Sequence, residues 1–175
     1  SMLEQWILSK GEKKTFFKKA EDELAFNFGR ELLVPYINSD AHKLISEKDL
    51  KFDLFTQKIS GKPDLVIFPT KSSSQTIEIW DFKTGEINSS NREKYFFQLN
   101  LYVQGISQLF PEYKEFCIKL ICLDQENVES ETFKIGEIST RVMSVLDRIN
   151  EPQIKNTEYC NKCEMNKICL IGSKS

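Results

Sequence analysis

Residues 61–85 read GKPDLVIFPTKSSSQTIEIWDFKTG and form the most informative segment of the chain. Two apolar runs of strand-like composition are separated by a serine-rich break, which predicts two neighbouring β-strands. Side chains alternate along a strand, so Asp81 and Lys83 lie on the same face. If Asp64 lies on the neighbouring strand, its carboxylate converges on that of Asp81, as oxygen ligands of a hard divalent cation do. Such a cation beside a lysine suggests hydrolysis of a phosphodiester bond.

The length and composition of the chain are those of one ordinary globular domain. It has 175 residues, 40% hydrophobic and 29% charged, enough to bury a core without disulfides. The net charge of -2 argues against a surface coated with basic residues for nonspecific nucleic-acid binding. We see no apolar run of membrane-span length and no secretory signal, so we expect a cytoplasmic protein without a membrane partner.

The N-terminal segment is locally basic. Residues 10–19 hold five lysines against one glutamate, with Phe16 and Phe17 between them. Such a segment could contact phosphates and stack on bases, but a solvated helix start with two core phenylalanines is the plainer interpretation. Ser1 before Met2 resembles the remnant of a cleaved tag, which suggests a piece of a longer protein.

Hydrophobic periodicity divides the chain into helices and strands. Residues 43–59 are typical of one long or two short strands, and Pro35 is the expected end of the first helix. The other expected elements are helices over 15–36, 91–110 and 137–149 and strands over 62–68, 76–82, 116–123 and 128–135. This order predicts an α/β fold in which a central mixed β-sheet is flanked by helices.

Three local motifs resemble those of the PD-(D/E)xK nuclease superfamily, specifically its RecB-like exonuclease branch. Residues 61–65 are similar to the family's Gly-x-x-Asp strand, residues 81–85 to its Asp-Tyr-Lys-Thr-Gly motif and residues 98–102 to its Gln-x-x-x-Tyr helix. The resemblance runs from about residue 15 to residue 169. It implies a restriction-endonuclease-like core.

The resemblance also implies the roles of the central residues. Asp64 and Asp81 would hold Mg²⁺ or Mn²⁺, and the backbone carbonyl of Phe82 would add a further ligand. Lys83 would orient the attacking water or stabilise charge that develops on the phosphate. Because the carboxylates alone repel phosphate, we expect neither binding nor cleavage without metal.

Glu23, in the first helix, is the residue that the resemblance assigns to the acidic cluster, through a metal-bound water. A helix-surface pair with Lys19, four residues earlier, is the simpler interpretation. Many RecB-like members place a metal-binding histidine after a glycine in this helix, whereas Gly29 is followed here by Arg30. The single histidine, His42, is expected in a loop.

Gln98 and Tyr102 are four residues apart and share one face of a helix. The resemblance implies that they position Lys83 and the DNA backbone, whereas a tyrosine at helical spacing taken alone is more typical of the core. Further phosphate contacts are expected at the start of the same helix, from Asn91, Arg92 and Lys94.

The tail carries Cys160, Cys163 and Cys169, which resemble the C-terminal triplet of an iron–sulfur cluster in several RecB-like nucleases. The fourth cysteine of that cluster lies upstream of the nuclease core, and this sequence has no cysteine before Cys117. Three alternatives stay open: a cluster completed by a missing N-terminal segment, a motif without a cluster, and a zinc site with another ligand. Cys117 and Cys122 lie in an apolar strand and are expected to be buried.

Together these features predict a metal-dependent deoxyribonuclease, an exonuclease acting on DNA ends or single strands in DNA repair or recombination. A helicase or repair complex is the expected partner. One alternative is a nuclease-fold module that binds nucleic acid within such an assembly and has little activity alone; another is a structural module built on a metal cluster. The expected boundaries are a basic segment over 1–14, the nuclease core over 15–156 and the cysteine-bearing tail over 157–175.

Overall fold

The structure, a computed structural model, describes residues 20–54, 57–70 and 75–150. The chain divides into two compact units, Ser1–Val142 and Met143–Ser175, and the sheet described below belongs to the first. The elements in chain order are α1 (Ala20–Ile37), β1 (His42–Ser46), β2 (Leu50–Leu54), β3 (Gln57–Gly61), β4 (Leu65–Pro69), β5 (Thr76–Lys83), α2 (Ser89–Leu109), β6 (Glu115–Cys122), β7 (Asn127–Lys134) and α3 (Ile135–Asn150). Among these helices none has the length and apolar character needed to cross a bilayer.

Five strands form one mixed sheet in the order β1, β4, β5, β6, β7. β5 and β6 are parallel, and the other neighbours are antiparallel. Parallel neighbours cannot be joined by a tight turn, and α2 provides the crossover between β5 and β6. The α/β fold with a central mixed sheet flanked by helices is confirmed, and β5 lies in the middle of the sheet as predicted.

The two faces of β5 differ because side chains alternate along a strand. Trp80, 1% exposed, lies on the face that α1 covers. The buried residues of that core are Leu33, Leu65, Ile67, Trp80 and Ile121. Ile79, Asp81 and Lys83 therefore lie on the opposite face, which α2 covers. The predicted functional residues of β5 thus share the layer between the sheet and α2.

The prediction for residues 43–59 was wrong, because this region contains three short strands. Glu47 breaks the run with a φ of 46°, a left-handed conformation that a strand cannot contain. β1 pairs with β4 in the main sheet, whereas β2 and β3 form a separate antiparallel hairpin. Leu50, Phe52 and Leu54 alternate with exposed residues and are buried, so the hairpin packs one face against α2.

Two element boundaries also differ from the prediction. Pro35 lies inside α1, which ends at Ile37, since the missing N–H removes one hydrogen bond without ending the last turn. β4 begins at Leu65, so Asp64 precedes the strand; Pro63 has no N–H to offer to a ladder. The described residues do not include the predicted basic segment over 1–14, residues 71–74 of the serine-rich break or the tail over 157–175.

Candidate active site

Asp64 and Asp81 face each other at the end of the β4–β5 pair. The last ladder partners are Leu65 and Trp80, and the next residue outward on each chain is one of the two aspartates. The Phe82 N–H donates a hydrogen bond of 2.7 Å to Asp64 Oδ2, which holds this carboxylate against β5. The structure therefore brings the two aspartates together at this edge of the sheet, close enough for the charge of Asp64 to raise the pKa of Asp81.

Lys83 lies beside this pair on the same face of β5. Its Nζ is 2.7 Å from Asp81 Oδ2, and the lysine side chain is 22% exposed whereas that of Asp81 is 4% exposed. The ammonium also lies 4.8 Å from the ring centroid of Tyr95 on α2, a cation–π contact that limits where the lysine can point. Lys83 is thus held between the buried carboxylate and α2, with part of its side chain open to solvent.

Burial sets the protonation behaviour of both aspartates. It raises the pKa of Asp81 above its usual range, against the opposing effect of the Lys83 ammonium, and the charge of Asp64 adds to the rise. Burial likewise raises the pKa of Asp64, while the Phe82 N–H and Lys83 oppose the rise and the charge of Glu47 adds to it. The fold therefore holds two carboxylates in a place where their negative charge is costly.

This carboxylate pair fits a divalent cation. Asp81 Oδ2 is buried, and the Lys83 ammonium lies 2.7 Å from it. Within the described part of the chain, no three His, Cys, Asp or Glu side chains come together as a metal-binding group. The two aspartates are therefore side by side, and their role as metal ligands, like that of the Phe82 carbonyl and of Glu23 through water, stays a prediction.

Gln98 and Tyr102 connect α2 to the segment that carries Asp64. Gln98 Nε2 donates a hydrogen bond of 2.7 Å to the Tyr102 hydroxyl, which in turn donates to the Lys62 carbonyl at 3.3 Å. The Tyr102 ring lies against Gly61, where an added Cβ would be only 2.5 Å from Cε1. Tyr102 is 6% exposed, so it supports the backbone before Asp64 from within the core.

The start of α2 uses its polar groups internally. Asn88 and Asn91 exchange side-chain-to-backbone hydrogen bonds of 2.8 and 3.2 Å, a reciprocal cap of the helix N-terminus. Arg92 pairs with Glu129 on β7 and stacks over the Phe96 ring. Three residues at this helix start were predicted to contact phosphate, and of these Lys94 is exposed whereas Asn91 and Arg92 are half-buried.

The other predicted site residues are less fully described. Glu23 lies on α1, which packs on the face opposite Asp81, and the described part of the structure does not include its side chain. Cys160, Cys163 and Cys169 lie outside the described residues. His42 begins β1 rather than lying in a loop, with its ring edge-on to Tyr36 at 5.0 Å.

Two residues near the site were missed from the sequence. Tyr95 contacts Lys83, and its spacing of three residues before Gln98 on α2 was the signal that could have found it. Glu47 donates its N–H to the Asp64 carbonyl at 3.0 Å and raises the pKa of Asp64 by its charge. Nothing in the local sequence indicates that Glu47 adopts a left-handed conformation.

A mixed sheet with paired carboxylates and a lysine at the end of its central strand agrees with the family comparison. The family model of the PD-(D/E)XK nuclease superfamily matches residues 2–170. The chain therefore belongs to the PD-(D/E)XK nuclease superfamily. None of the curated proteins matches it.

Two solved structures are similar to the chain at low identity. The crystal structure of SSO0001 shares 16% identity, with 86% of this chain and 68% of that chain covered and a TM-score of 0.41. A protein of Eubacterium rectale named "Putative exonuclease" shares 20% identity, with 84% of this chain covered and a TM-score of 0.46. This chain spans 60% of the length of the Eubacterium rectale protein.

Proposed function

We propose that this protein is a Mg²⁺- or Mn²⁺-dependent deoxyribonuclease of the RecB-like branch. The observation that carries the proposal is the convergence of Asp64 and Asp81 with Lys83 Nζ 2.7 Å from the Asp81 carboxylate. Members of the superfamily usually use divalent metals such as Mg²⁺. A buried and a half-buried carboxylate, both with raised pKa values, gain most from a cation that compensates their charge.

The residues of the chain take distinct roles in this proposal. Asp64 and Asp81 hold the cation, with the Phe82 carbonyl and Glu23, through a water, as further ligands. When bound, the cation supplies a polarised phosphate and an acidified water. Lys83, partly open to solvent, places a positive charge where negative charge develops on the phosphate. Tyr102 and Gln98 keep the Asp64 segment in position, and Tyr95 limits the movement of Lys83.

The finer assignment follows the motifs. The Gly-x-x-Asp and Gln-x-x-x-Tyr motifs are joined physically through the contact between Gly61 and Tyr102, which supports the RecB-like assignment. We place the activity on single-stranded DNA or DNA ends, as an exonuclease of repair or recombination in the cytoplasm. A helicase or repair complex is the proposed partner. The nuclease core is proposed to span residues 15–156, with a basic segment before it and an iron–sulfur or zinc tail after it.

The decisive variant is Lys83→Ala, assayed on end-labelled single-stranded DNA with Mg²⁺ or Mn²⁺. We expect cleavage by the unaltered protein, loss in chelator, and a fall of kcat by about 10²–10³ in the variant, as for removal of one transition-state donor. Lys119→Ala is a matched control. Lys119 Nζ also lies 2.7 Å from a carboxylate, that of Glu78, and its side chain is also 22% exposed, but it lies on the α1 face.

Unchanged cleavage by Lys83→Ala would refute the assignment. An equal loss in both lysine variants would show that the effect comes from a general disturbance of the sheet. Binding of DNA by the unaltered protein without any cleavage would favour the alternative, a nuclease-fold module that works within a larger assembly. Circular dichroism of each variant checks that the fold is retained.

A further inference from the structure

We propose that the β2–β3 hairpin holds the phosphate backbone of a single DNA strand as it enters the candidate site. The three residues that make the contacts are Lys48, Lys51 and Lys62. The proposal rests on the proposed nuclease function and adds the surface that positions the substrate. Four observations carry it: how the hairpin is fixed, where its lysines lie, which charges are already paired, and what the neighbouring carboxylates require.

The hairpin is fixed to α2 at both strands. The Phe52 ring lies directly against Gly105, where no Cβ could be accommodated, and Gln108 Nε2 donates to the Asp53 carbonyl at 2.8 Å. At the other strand, Gly61 lies against the Tyr102 ring. A surface that is held this way is preorganised, so a ligand would pay little conformational cost on binding to it.

The lysines lie at the end of the hairpin that adjoins the carboxylates. The chain leaves β3 through Lys62 and reaches Asp64 two residues later, a distance of about 7 Å in extended chain. The chain enters β2 from Glu47, which is hydrogen-bonded to the Asp64 backbone, and Lys48 follows directly. Lys51 comes next on the outer face of β2, opposite Ser60. All three lysines are exposed.

The charges of these three lysines are available. None of them forms an ion pair with a described residue, whereas Lys58, farther out on the same hairpin, is bound to Asp53 at 3.0 Å. Apart from Asp64 in the site itself, the acidic residues at this end of the hairpin are Glu47 and Asp49, so the three lysines leave a positive balance of one charge. The rest of the hairpin is neutralised by its own pair.

A phosphodiester backbone is the ligand that this arrangement suits. The site carboxylates repel phosphate, and the ammonium groups at the adjoining end of the hairpin offset that repulsion and align the strand. The start of α2 offers less, because Arg92 is already paired with Glu129 and Asn91 caps the helix. Lysine contacts follow the backbone without reading bases, which is the behaviour of sequence-independent single-strand binding.

The test is the salt dependence of binding to a labelled single-stranded oligonucleotide, measured by fluorescence anisotropy. It is done in the Lys83→Ala background with Mg²⁺, so that the strand is not cut. Each lost phosphate contact should lower the slope of log K against log salt by about 0.7, or about 2 for the triple Lys48→Ala, Lys51→Ala, Lys62→Ala variant. Lys58→Ala removes the same charge from the same hairpin and should leave the slope unchanged.

The outcomes separate this inference from the function on which it rests. If the unaltered protein cuts DNA and the triple variant keeps the full slope, the hairpin surface is refuted and the nuclease stands. A fall of the slope by about 0.7 in Lys58→Ala would also refute it, since any positive charge on the hairpin would then have the same effect. If the unaltered protein neither binds nor cuts DNA, both proposals fail. In the otherwise unaltered protein, the triple variant should raise KM with little change in kcat.

Discussion

Replacing Gly61 with alanine should break the contact that positions Asp64. The new Cβ would lie 2.5 Å from Tyr102 Cε1, so the ring would have to retreat by about 1 Å to reach an ordinary carbon–carbon distance. Tyr102 is 6% exposed and bonded at its hydroxyl to both Gln98 and Lys62, so it has little room to move. Overpacking costs about 1–3 kcal/mol and a lost hydrogen bond about 1 kcal/mol. We expect Gly61→Ala to lower the free energy of unfolding by about 2–4 kcal/mol.

Urea unfolding followed by circular dichroism measures this loss, and a double-mutant cycle identifies its cause. Tyr102→Leu removes the ring atoms that the new Cβ would meet, so the loss in the double variant should be smaller than the two single losses added together. Gly136→Ala is the control, because no atom lies within 4 Å of a Cβ added there. It should be neutral or slightly stabilising. A loss below about 0.5 kcal/mol for Gly61→Ala, or simple additivity with Tyr102→Leu, would refute the steric argument.

Two further predictions concern charge and strain near the site. Glu47 has a φ of 46° and raises the pKa of Asp64, so Glu47→Gly should raise the free energy of unfolding by about 1 kcal/mol. The matched variant is Glu126→Gly, because Glu126 has a φ of 48° in an exposed turn and should give a smaller gain, from relief of strain alone. Thermal unfolding of the two variants compares these gains. Asp64→Asn keeps an acceptor for the Phe82 N–H but removes a carboxylate whose folded pKa is raised. Because of such a group, the free energy of unfolding falls as pH rises from the ordinary pKa of the group through its folded pKa. In chelator the Asn variant should therefore be the more stable at pH 7, and the difference should shrink towards pH 4 in denaturant unfolding; a constant difference would refute this cause.

The elements predicted well are those with long, regular patterns. Residues 76–82 were assigned to the central strand and 91–110 to a helix, and the structure has β5 over Thr76–Lys83 and α2 over Ser89–Leu109. The region 43–59 was predicted poorly, because its division depends on the left-handed conformation of Glu47 and on Phe52 and its neighbours finding a surface on α2. Neither is a property of local periodicity.

The features of the candidate site likewise fall into those set by local sequence and those set by residues distant in the chain. Strand alternation alone places Asp81 and Lys83 on one face, and a spacing of four residues alone places Gln98 and Tyr102 on one face of α2. The three-dimensional structure was needed to show that Asp64 lies across from Asp81, that Tyr95 contacts Lys83 and that Tyr102 supports Gly61. The reason is physical: alternation along a strand and the turn of a helix are local, whereas register, close approach at a glycine and the burial that raises a carboxyl pKa depend on residues distant in the chain.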